Sequence, residues 1–357
     1  MMDSEAASGG ASADGAGRSM PLAVTMGDPA GIGLDITIAA WARRQAVPLP
    51  PFVLLASPDA VAERARRLGL ACEISVVSGL PPSSQLPADA LPVLPVKLDA
   101  RVEAGVPNSA NAGGIIEAIE RAVAETVAGR AAAVVTNPIS KATLYAAGFA
   151  HPGHTEFLGV LAGQHFPGRT WTPVMMLASD ELRVVPLTIH IPLTAVAPAV
   201  TRELILDVCR ITTRDLAARF GIPRARLAVA GLNPHAGEGG GIGREEIEVI
   251  GPAIATLQRE GLDVTGPYPA DTLFHAAARA RYDVAVCMYH DQALIPIKTL
   301  AFDTGVNVTL GLPFVRTSPD HGTAFDIAGT GKASPASLVA ALHLAARMGA
   351  SPPASHG

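Results

Sequence analysis

The chain has 357 residues, of which 49% are hydrophobic, 17% charged and 4% aromatic, and its formal net charge is -5. This length predicts two lobes around an aliphatic core, and an acidic balance without a basic cluster excludes a nucleic-acid surface. A membrane span needs about 20 apolar residues in a row, and prolines interrupt the most apolar run, residues 184–200.

Residues 1–20 are small and polar, which predicts a disordered tail without the apolar segment of a signal peptide. The three cysteines, Cys72, Cys209 and Cys287, lie far apart and form no CxxC motif. This spacing predicts reduced thiols in a cytoplasmic protein.

Strand and helix patterns alternate from residue 21 onward. Apolar runs predict strands at residues 22–26, 52–56 and 131–136. Ser57 followed by Pro58 predicts the N-cap of a helix that reaches residue 68. Helical periodicity predicts a second helix over residues 115–127, and a short one follows Ser140. The Pro-rich residues 80–95 predict a surface connection or an edge excursion.

The second half of the chain continues the same alternation. Apolar runs predict strands at residues 174–177, 182–189, 227–231, 284–288 and 306–310. Periodic segments predict helices at residues 201–220, 244–259 and 272–280. Strands separated by helices of this length imply right-handed crossovers and a largely parallel sheet. The predicted fold class is therefore α/β.

Three histidines each follow the carboxyl end of a predicted strand: His190, His235 and His290. Ligand sites in open α/β sheets form at that edge, and three neutral imidazoles with an open fourth position make a catalytic zinc site. The histidines are 45 and 55 residues apart, so hydrogen-bonded structural roles remain the alternative. Asp291 directly follows His290. Asp271 is either a helix N-cap or a group that ligates the metal or orients its histidines.

Two Gly-rich segments each lie between a predicted strand and a helix. Neither residues 27–33 nor residues 233–243 match a Walker A loop or a GxGxxG fingerprint. The first segment is either a tightly packed turn or a ligand contact. The second either presents amides to an anion or is a flexible loop.

Several cationic and polar side chains are candidates for holding a phosphate. They are Lys298, Asn307 and Arg316, in loops around a short predicted strand, and His154 and Thr155, in the segment Pro-Gly-His-Thr-Glu. Arginine offers phosphate a bidentate fork and lysine a point charge. Solvated surface residues are the alternative, because spacing does not show convergence.

Eight segments spread along the chain are together highly specific. They are TMGDPAGIG from Thr25, NAGG from Asn111, VTNPISK from Val135, GHTEFL from Gly153, LNPHAGEGG from Leu232, ADTLF from Ala270, MYHDQ from Met288 and GVNVTLGLPFVRTSPDHGTAFDIAG from Gly305. In these segments the chain resembles the 4-hydroxythreonine-4-phosphate dehydrogenases of pyridoxal phosphate biosynthesis. The resemblance covers all but the first twenty residues and the extreme C-terminus.

The resemblance implies two α/β/α lobes with largely parallel sheets, like those of isocitrate and isopropylmalate dehydrogenases. It also implies a homodimer whose active site lies in the cleft between the lobes and is completed by the partner subunit. The expected first lobe, on the cofactor side, comprises residues 21–150 and 311–357. The expected second lobe comprises residues 151–310 and carries the metal and substrate residues.

The resemblance also implies roles for particular residues. The family's metal ligands fall on His190, His235 and His290. Its substrate contacts fall on His154, Thr155, Lys298, Asn307 and Arg316. Its two aspartates that maintain the active site fall on Asp271 and Asp291. Cofactor contacts, by likeness to the adenosine-binding loop of isopropylmalate dehydrogenases, fall on Gly322, Thr323, Ala324 and Asp326. Candidates for the proton acceptor are Lys298, a metal-bound water and Asp271.

The activity implied is oxidation of 4-phosphooxy-L-threonine with NAD or NADP and one divalent ion, Zn²⁺, Mg²⁺ or Co²⁺. The product, 2-amino-3-oxo-4-phosphooxybutanoate, decarboxylates to 3-amino-2-oxopropyl phosphate. Many members carry histidine where this chain has Gly241, which leaves the choice between NAD and NADP open. The alternatives are a threonate or erythronate 4-phosphate dehydrogenase of the same family, a phosphate acyltransferase on a related scaffold, and a binding protein without catalysis.

Overall fold

The structure is a computed structural model that describes residues 19–151 and 153–350. Residues 1–18 of the predicted tail therefore lie outside the described residues, as do residues 351–357. The strands are β1 (Leu22–Thr25), β2 (Phe52–Ala56), β3 (Ile74–Val76), β4 (Leu91–Pro95), β5 (Val134–Thr136), β6 (Val174–Ala178), β7 (Arg183–Thr188), β8 (Leu227–Ala230), β9 (Val264–Tyr268), β10 (Val284–Tyr289), β11 (Val306–Leu310) and β12 (Arg316–Pro319).

Helices of three to nineteen residues connect and cover these strands. The α-helices are α1 (Gly33–Ala42), α2 (Pro58–Leu68), α3 (Ala112–Val127), α4 (Lys141–Ala146), α5 (His154–His165), α6 (Val196–Ala199), α7 (Arg202–Phe220), α8 (Gly251–Arg259), α9 (Ala276–Arg279), α10 (His290–Ala301) and α11 (Ala336–Gly349). No helix among the described residues has both the length and the apolar character that crossing a membrane requires.

All twelve described strands join one sheet, in the order β3-β4-β2-β1-β5-β12-β11-β6-β7-β10-β8-β9. The antiparallel pairings are β12 with β11, β11 with β6 and β6 with β7, and the other described neighbours are parallel. The prediction of an α/β fold with a largely parallel sheet is confirmed. The antiparallel steps reverse strand direction, so β5 and β7 run opposite ways.

Continuous apolar runs form the central strands because both faces of a parallel sheet are covered. Every residue of β1 and β2 is buried. The predicted cap of α2 is confirmed: the Ser57 hydroxyl accepts a hydrogen bond from the Ala60 amide at 3.4 Å, and Gly69 ends the helix in the left-handed region. The three cysteines are free thiols, and Cys209 and Cys287 are buried.

Two sequence-based assignments were wrong. Residues 80–95 include β4, an inner strand whose first four residues are buried, so this segment is not simply a connection. The helix predicted over residues 272–280 is broken into a 3₁₀ turn, Ala270–Thr272, and the short α9. The helix predicted over residues 244–259 is confirmed, and it begins with a π-helical turn, Glu246–Ile250, that continues directly into α8.

The Gly-rich turn between β1 and α1 is a close-packed turn. A Cβ on Gly27 would lie 2.4 Å from the Pro138 carbonyl oxygen, and one on Gly33 would lie 2.4 Å from the Met26 carbonyl oxygen. Gly27 also has φ of +71°, which favours glycine. The contacts of these two glycines therefore favour the packing alternative for residues 27–33.

A buried ion pair fixes the same turn. Arg64 on α2 pairs with Asp35 on α1, and both side chains are 3% exposed. The Arg64 guanidinium also donates to the carbonyls of Gly31 and Pro29, at 2.8 and 2.9 Å. The second carboxylate oxygen of Asp35 accepts from the Gly329 amide at 2.6 Å. One pair thus holds two loops that are distant in sequence.

Replacing Arg64 with methionine is expected to lower the free energy of unfolding by about 3–5 kcal/mol, because Asp35 would keep a buried charge without its partner. Urea unfolding monitored by circular dichroism measures the change. Arg66 is exposed on the same helix, so Arg66→Met is the matched control and should stay within about 0.5 kcal/mol of the wild type. Equal stability of the two variants would show that the pair is dispensable.

Candidate active site

Arg316, the first residue of β12, is a buried cation held by hydroxyl groups. Its Nε and Nη2 donate to Thr136 Oγ1 at 3.1 and 2.6 Å, and its Nη1 donates to Thr309 Oγ1 at 2.9 Å. The side chain is 3% exposed, and burial lowers the pKa of its guanidinium to about 10. No carboxylate among the described residues forms an ion pair with it. A buried charge left unpaired in this way is costly unless an anion accompanies it.

His154 is the first residue of α5, and its Nε2 is buried without a hydrogen-bond partner among the described residues. Burial lowers the pKa of this imidazole well below its usual value, and the positive charges of Arg316 and Lys141 lower it further. The guanidinium of Arg316 therefore lies near enough for its charge to act on the His154 imidazole, and the role of both residues in holding a phosphate stays a prediction. Thr155 follows on the first turn of α5 and is half-buried.

Lys298, on α10, differs from Arg316 in already having a counter-ion. Its Nζ lies 2.9 Å from Asp320 Oδ2, just after β12. Asp320 was not among the predicted site residues. Asn307 is the second residue of β11, opposite Ser318 of β12 and Leu177 of β6. The structure thus places Asn307 two residues from Thr309, which holds Arg316. The expectation that Lys298, Asn307 and Arg316 lie in loops was wrong, because they belong to α10, β11 and β12.

His190 and His290 come together, with ring centroids 6.0 Å apart. They follow β7 and β10, which are parallel neighbours, so both lie past the same end of the sheet. His290 Nδ1 lies 2.7 Å from Asp291 Oδ1, which orients the ring and leaves Nε2 available. Partial burial, followed by the positive charges of Lys141 and His290, lowers the pKa of His190.

His235 lies on a loop with an unusual backbone. His235, Ala236, Gly237, Glu238 and Gly239 all have φ between +45° and +79°. The left-handed region costs a residue other than glycine roughly 1–2 kcal/mol, and strain of this kind is concentrated at functional sites. These left-handed residues do not form a regular helix. The His235 side chain is exposed.

The buried Glu246 anchors this loop and was missed by the sequence analysis. One carboxylate oxygen accepts from the amides of Leu232 and Asn233 at 2.8 and 2.7 Å, and the other accepts from Asn233 Nδ2 at 2.9 Å. Glu246 also leaves no space for a side chain at Gly237, where a Cβ would lie 2.6 Å from Oε2. An acidic residue at the start of a helix after a Gly-rich loop was the available signal.

Asp271 lies within the 3₁₀ turn Ala270–Thr272 and is exposed. It is not the N-cap of α9, because His275 occupies that position. The N-cap interpretation of Asp271 was therefore wrong, and its role at a metal site remains a prediction.

The loop predicted to contact the cofactor packs against the turn after β1. The Thr323 carbonyl accepts from the Ile32 amide at 2.9 Å, and a Cβ on Gly31 would lie 2.8 Å from the same oxygen. Ala324 has φ of +41° and precedes a 3₁₀ turn that contains Asp326. Gly322 and Asp326 are exposed. These contacts position the loop, while its role in binding stays a prediction.

The described residues of one chain thus hold two groups of predicted site residues. Arg316 and His154 form one group, whose positive charge is that of the guanidinium, and His190 and His290 form an imidazole pair. Residues 19–151 and 153–350 contain no cluster of three or more histidine, cysteine or acidic side chains able to hold a metal ion. The three-histidine site therefore stays a prediction, with two of its members adjacent within the chain.

Comparison with known proteins gives consistent matches along most of the chain. The family described as pyridoxal phosphate biosynthetic protein PdxA matches residues 49–345. The 4-hydroxythreonine-4-phosphate dehydrogenase of Bradyrhizobium diazoefficiens is 57% identical over 337 residues, which cover 92% of this chain and 97% of that protein. The enzyme of the same name from Methylorubrum populi is 56% identical over 335 residues, 93% of this chain and 95% of the relative.

A solved structure agrees with these matches. The crystal structure of 4-hydroxythreonine-4-phosphate dehydrogenase from Klebsiella pneumoniae superposes with a TM-score of 0.83 at 38% sequence identity. The alignment covers 93% of this chain and 98% of that one. Fold and sequence therefore point to the same set of relatives.

Proposed function

Because the chain belongs to the family of pyridoxal phosphate biosynthetic proteins PdxA, we propose that it oxidises 4-hydroxythreonine 4-phosphate. The oxidation uses NAD or NADP and yields 2-amino-3-oxo-4-phosphooxybutanoate. This β-keto acid then loses CO₂ to give 3-amino-2-oxopropyl phosphate, a step on the way to pyridoxal phosphate.

The observation that carries the proposal is the uncompensated cation on β12. The guanidinium of Arg316 is held by two neutral hydroxyls, and the buried Nε2 of His154 lacks a partner among the described residues. A phosphoryl group supplies the negative charge and the acceptor oxygens that both groups need. Thr136 and Thr309 fix the guanidinium in advance, so little side-chain freedom is lost when substrate binds.

The oxidation removes a hydride from C3 of the substrate and a proton from the C3 hydroxyl, and a nicotinamide bound at the proposed cofactor loop would supply the hydride acceptor. Holding the phosphoryl group at Arg316, His154 and Thr155 fixes the position of C3 along the substrate. Such positioning converts the transfer into an effectively unimolecular step. Lys298 supports this region through its ion pair with Asp320, which follows β12.

The imidazole pair fits a divalent metal ion. His190 and His290 are close enough for both to approach one ion, and the contact of Asp291 with Nδ1 of His290 is the usual outer-shell partner of a metal-bound histidine. A divalent ion bound there would act as a Lewis acid on the C3 oxygen and lower the pKa of the hydroxyl. Imidazole ligands suit Zn²⁺ or Co²⁺ better than Mg²⁺.

We propose that His235 completes this ligand set and that the set is assembled in a homodimer, where a second copy supplies the missing ligand. The support is that one chain brings only two of the three imidazoles together among its described residues. The loop of Gly322, Thr323, Ala324 and Asp326 is the proposed cofactor contact. Free cysteines agree with a cytoplasmic location.

The direct test is the absorbance of reduced nicotinamide when the purified protein receives 4-hydroxythreonine 4-phosphate and either NAD or NADP. Absorbance should rise, a chelator should stop the rise, and added Zn²⁺ or Co²⁺ should restore it. A higher kcat/KM with threonate or erythronate 4-phosphate would assign the protein to that substrate instead. A rise that a chelator leaves unchanged would contradict the metal requirement.

A further inference from the structure

Lys141 is a cation beside the candidate site to which neither the family resemblance nor the proposed function gives a role. It is the first residue of α4, whose N-cap Ser140 accepts from the Thr143 amide at 3.2 Å. The side chain is exposed, and no carboxylate among residues 19–151 and 153–350 forms an ion pair with it. Four lysines occur in the sequence, and the side chain of Lys141 lies beside Gly153, the residue before α5.

The ammonium group of Lys141 lies over the start of α5. A Cβ built on Gly153 would lie 3.2 Å from Lys141 Nζ and 3.1 Å from Cε. Gly153 is the residue that precedes His154, and α5 extends for twelve residues. The ammonium therefore lies beside the first turn of the helix that carries His154 and Thr155.

Lys141 and Arg316 also act on one buried ring. The positive charges of both side chains lower the pKa of the His154 imidazole, after the larger effect of burial. Like charges gathered at one site repel each other. An anionic ligand would offset that repulsion, and it would also lie near His154 Nε2, which is buried without a hydrogen-bond partner among the described residues.

We infer that Lys141 is a further substrate-binding residue, whose ammonium donates a hydrogen bond to an anionic oxygen of the substrate beside the first turn of α5. This inference rests on the proposed function, because it assigns Lys141 to the same substrate. The phosphoryl group and the carboxylate both offer such an oxygen. The Glu156 carboxylate belongs to the same surroundings, since its Oε2 would also lie 3.2 Å from a Cβ on Gly153, but it forms no ion pair with Lys141 among the described residues.

Calorimetry measures the binding of inorganic phosphate and of 4-hydroxythreonine 4-phosphate to the full-length, metal-loaded protein. Lys141→Met should weaken substrate binding by roughly 10- to 100-fold, the usual effect of losing a hydrogen bond to a charged group. Weaker binding of inorganic phosphate as well would assign the contact to the phosphoryl group. An effect on the substrate alone would assign it to the carboxylate. Unchanged affinity for both would overturn the inference.

Gly153→Ala tests the placement without removing the charge. The φ of Gly153 is 177°, extended backbone that alanine also adopts, so the new methyl group would displace the Lys141 ammonium and the Glu156 carboxylate and not the main chain. We expect weaker substrate binding in this variant and no additional loss when it is combined with Lys141→Met. A full additional loss in the double variant would show that the methyl group acts elsewhere, which would contradict the placement.

Two controls separate this inference from the proposed function. Lys97 is 84% exposed and pairs with Asp99, so Lys97→Met removes a lysine without changing either affinity. Arg316→Met should abolish phosphate binding in the same assay. Normal binding of phosphate by Arg316→Met would show that the proposed phosphoryl site is wrong. If Arg316→Met loses phosphate binding but Lys141→Met binds both phosphate and substrate normally, only the inference about Lys141 fails.

Discussion

Replacing Arg316 with methionine is expected to raise the KM for the phosphorylated substrate by more than about 100-fold, because at least two charged hydrogen bonds are lost. The effect should be much smaller on 4-hydroxythreonine, which lacks the phosphoryl group. Steady-state kinetics with both compounds measure the difference. An equal loss on the two compounds would remove the phosphate role of Arg316.

The stability of this variant should change little. Replacing a buried charge by an apolar side chain of similar length is often neutral or stabilising, and the partners left behind, Thr136 and Thr309, are neutral hydroxyls. Arg316→Lys is the matched variant that keeps the charge. It should recover only part of the affinity, because an ammonium lacks the bidentate fork of a guanidinium.

His290→Ala is expected to lower both bound metal and turnover by more than about 100-fold, since loss of an outer-shell partner alone typically costs 10- to 100-fold. Atomic spectroscopy after dialysis measures the bound metal, and a steady-state assay of the same sample measures the turnover rate. His235→Ala should give the same result if His235 completes the ligand set. If His235→Ala kept its bound metal and its turnover rate, His235 would not be a ligand of the metal.

The matched control for these variants is His165→Ala. His165 ends α5, eleven residues after His154, which places it about 16 Å away along the helix axis. It is exposed, so its loss should leave metal content and turnover unchanged.

Asp291→Asn tests the support of His290, and an intermediate loss of metal is expected because the ring keeps its nitrogen but loses its charged partner.

The sequence predicted the helices and strands whose local residue pattern matches their burial in the fold. The helix after Ser57 and the strand over residues 52–56 match the structure, because a capped helix and a fully buried strand each have a clear local pattern. β4 was missed because Pro92 and Pro95 resemble a turn composition. Its place inside the sheet depends on pairing with β2 and β3, which no local pattern records.

The sequence predicted which residues are candidates for the site, but it did not predict which of them lie close together. The position of His190 and His290 after two strands was visible in the sequence, but their proximity depends on β7 and β10 being neighbours. The hydroxyls that hold Arg316 come from Thr136 and Thr309, residues on other strands. Such contacts arise from strand order, and strand order is a property of the whole fold.

The strands that join the two halves of the sheet are also the last strands to be synthesised. β5 ends at Thr136, yet its neighbour β12 is complete only at Pro319. At a ribosomal rate of about 5–20 residues per second, β5 waits about 10–40 s for that neighbour. During this interval β5 and β6 expose unpaired edges, which readily pair with other chains. A nascent chain that stops before β11 would therefore release two open sheet edges and lack Arg316, so premature termination yields aggregation-prone fragments without substrate affinity.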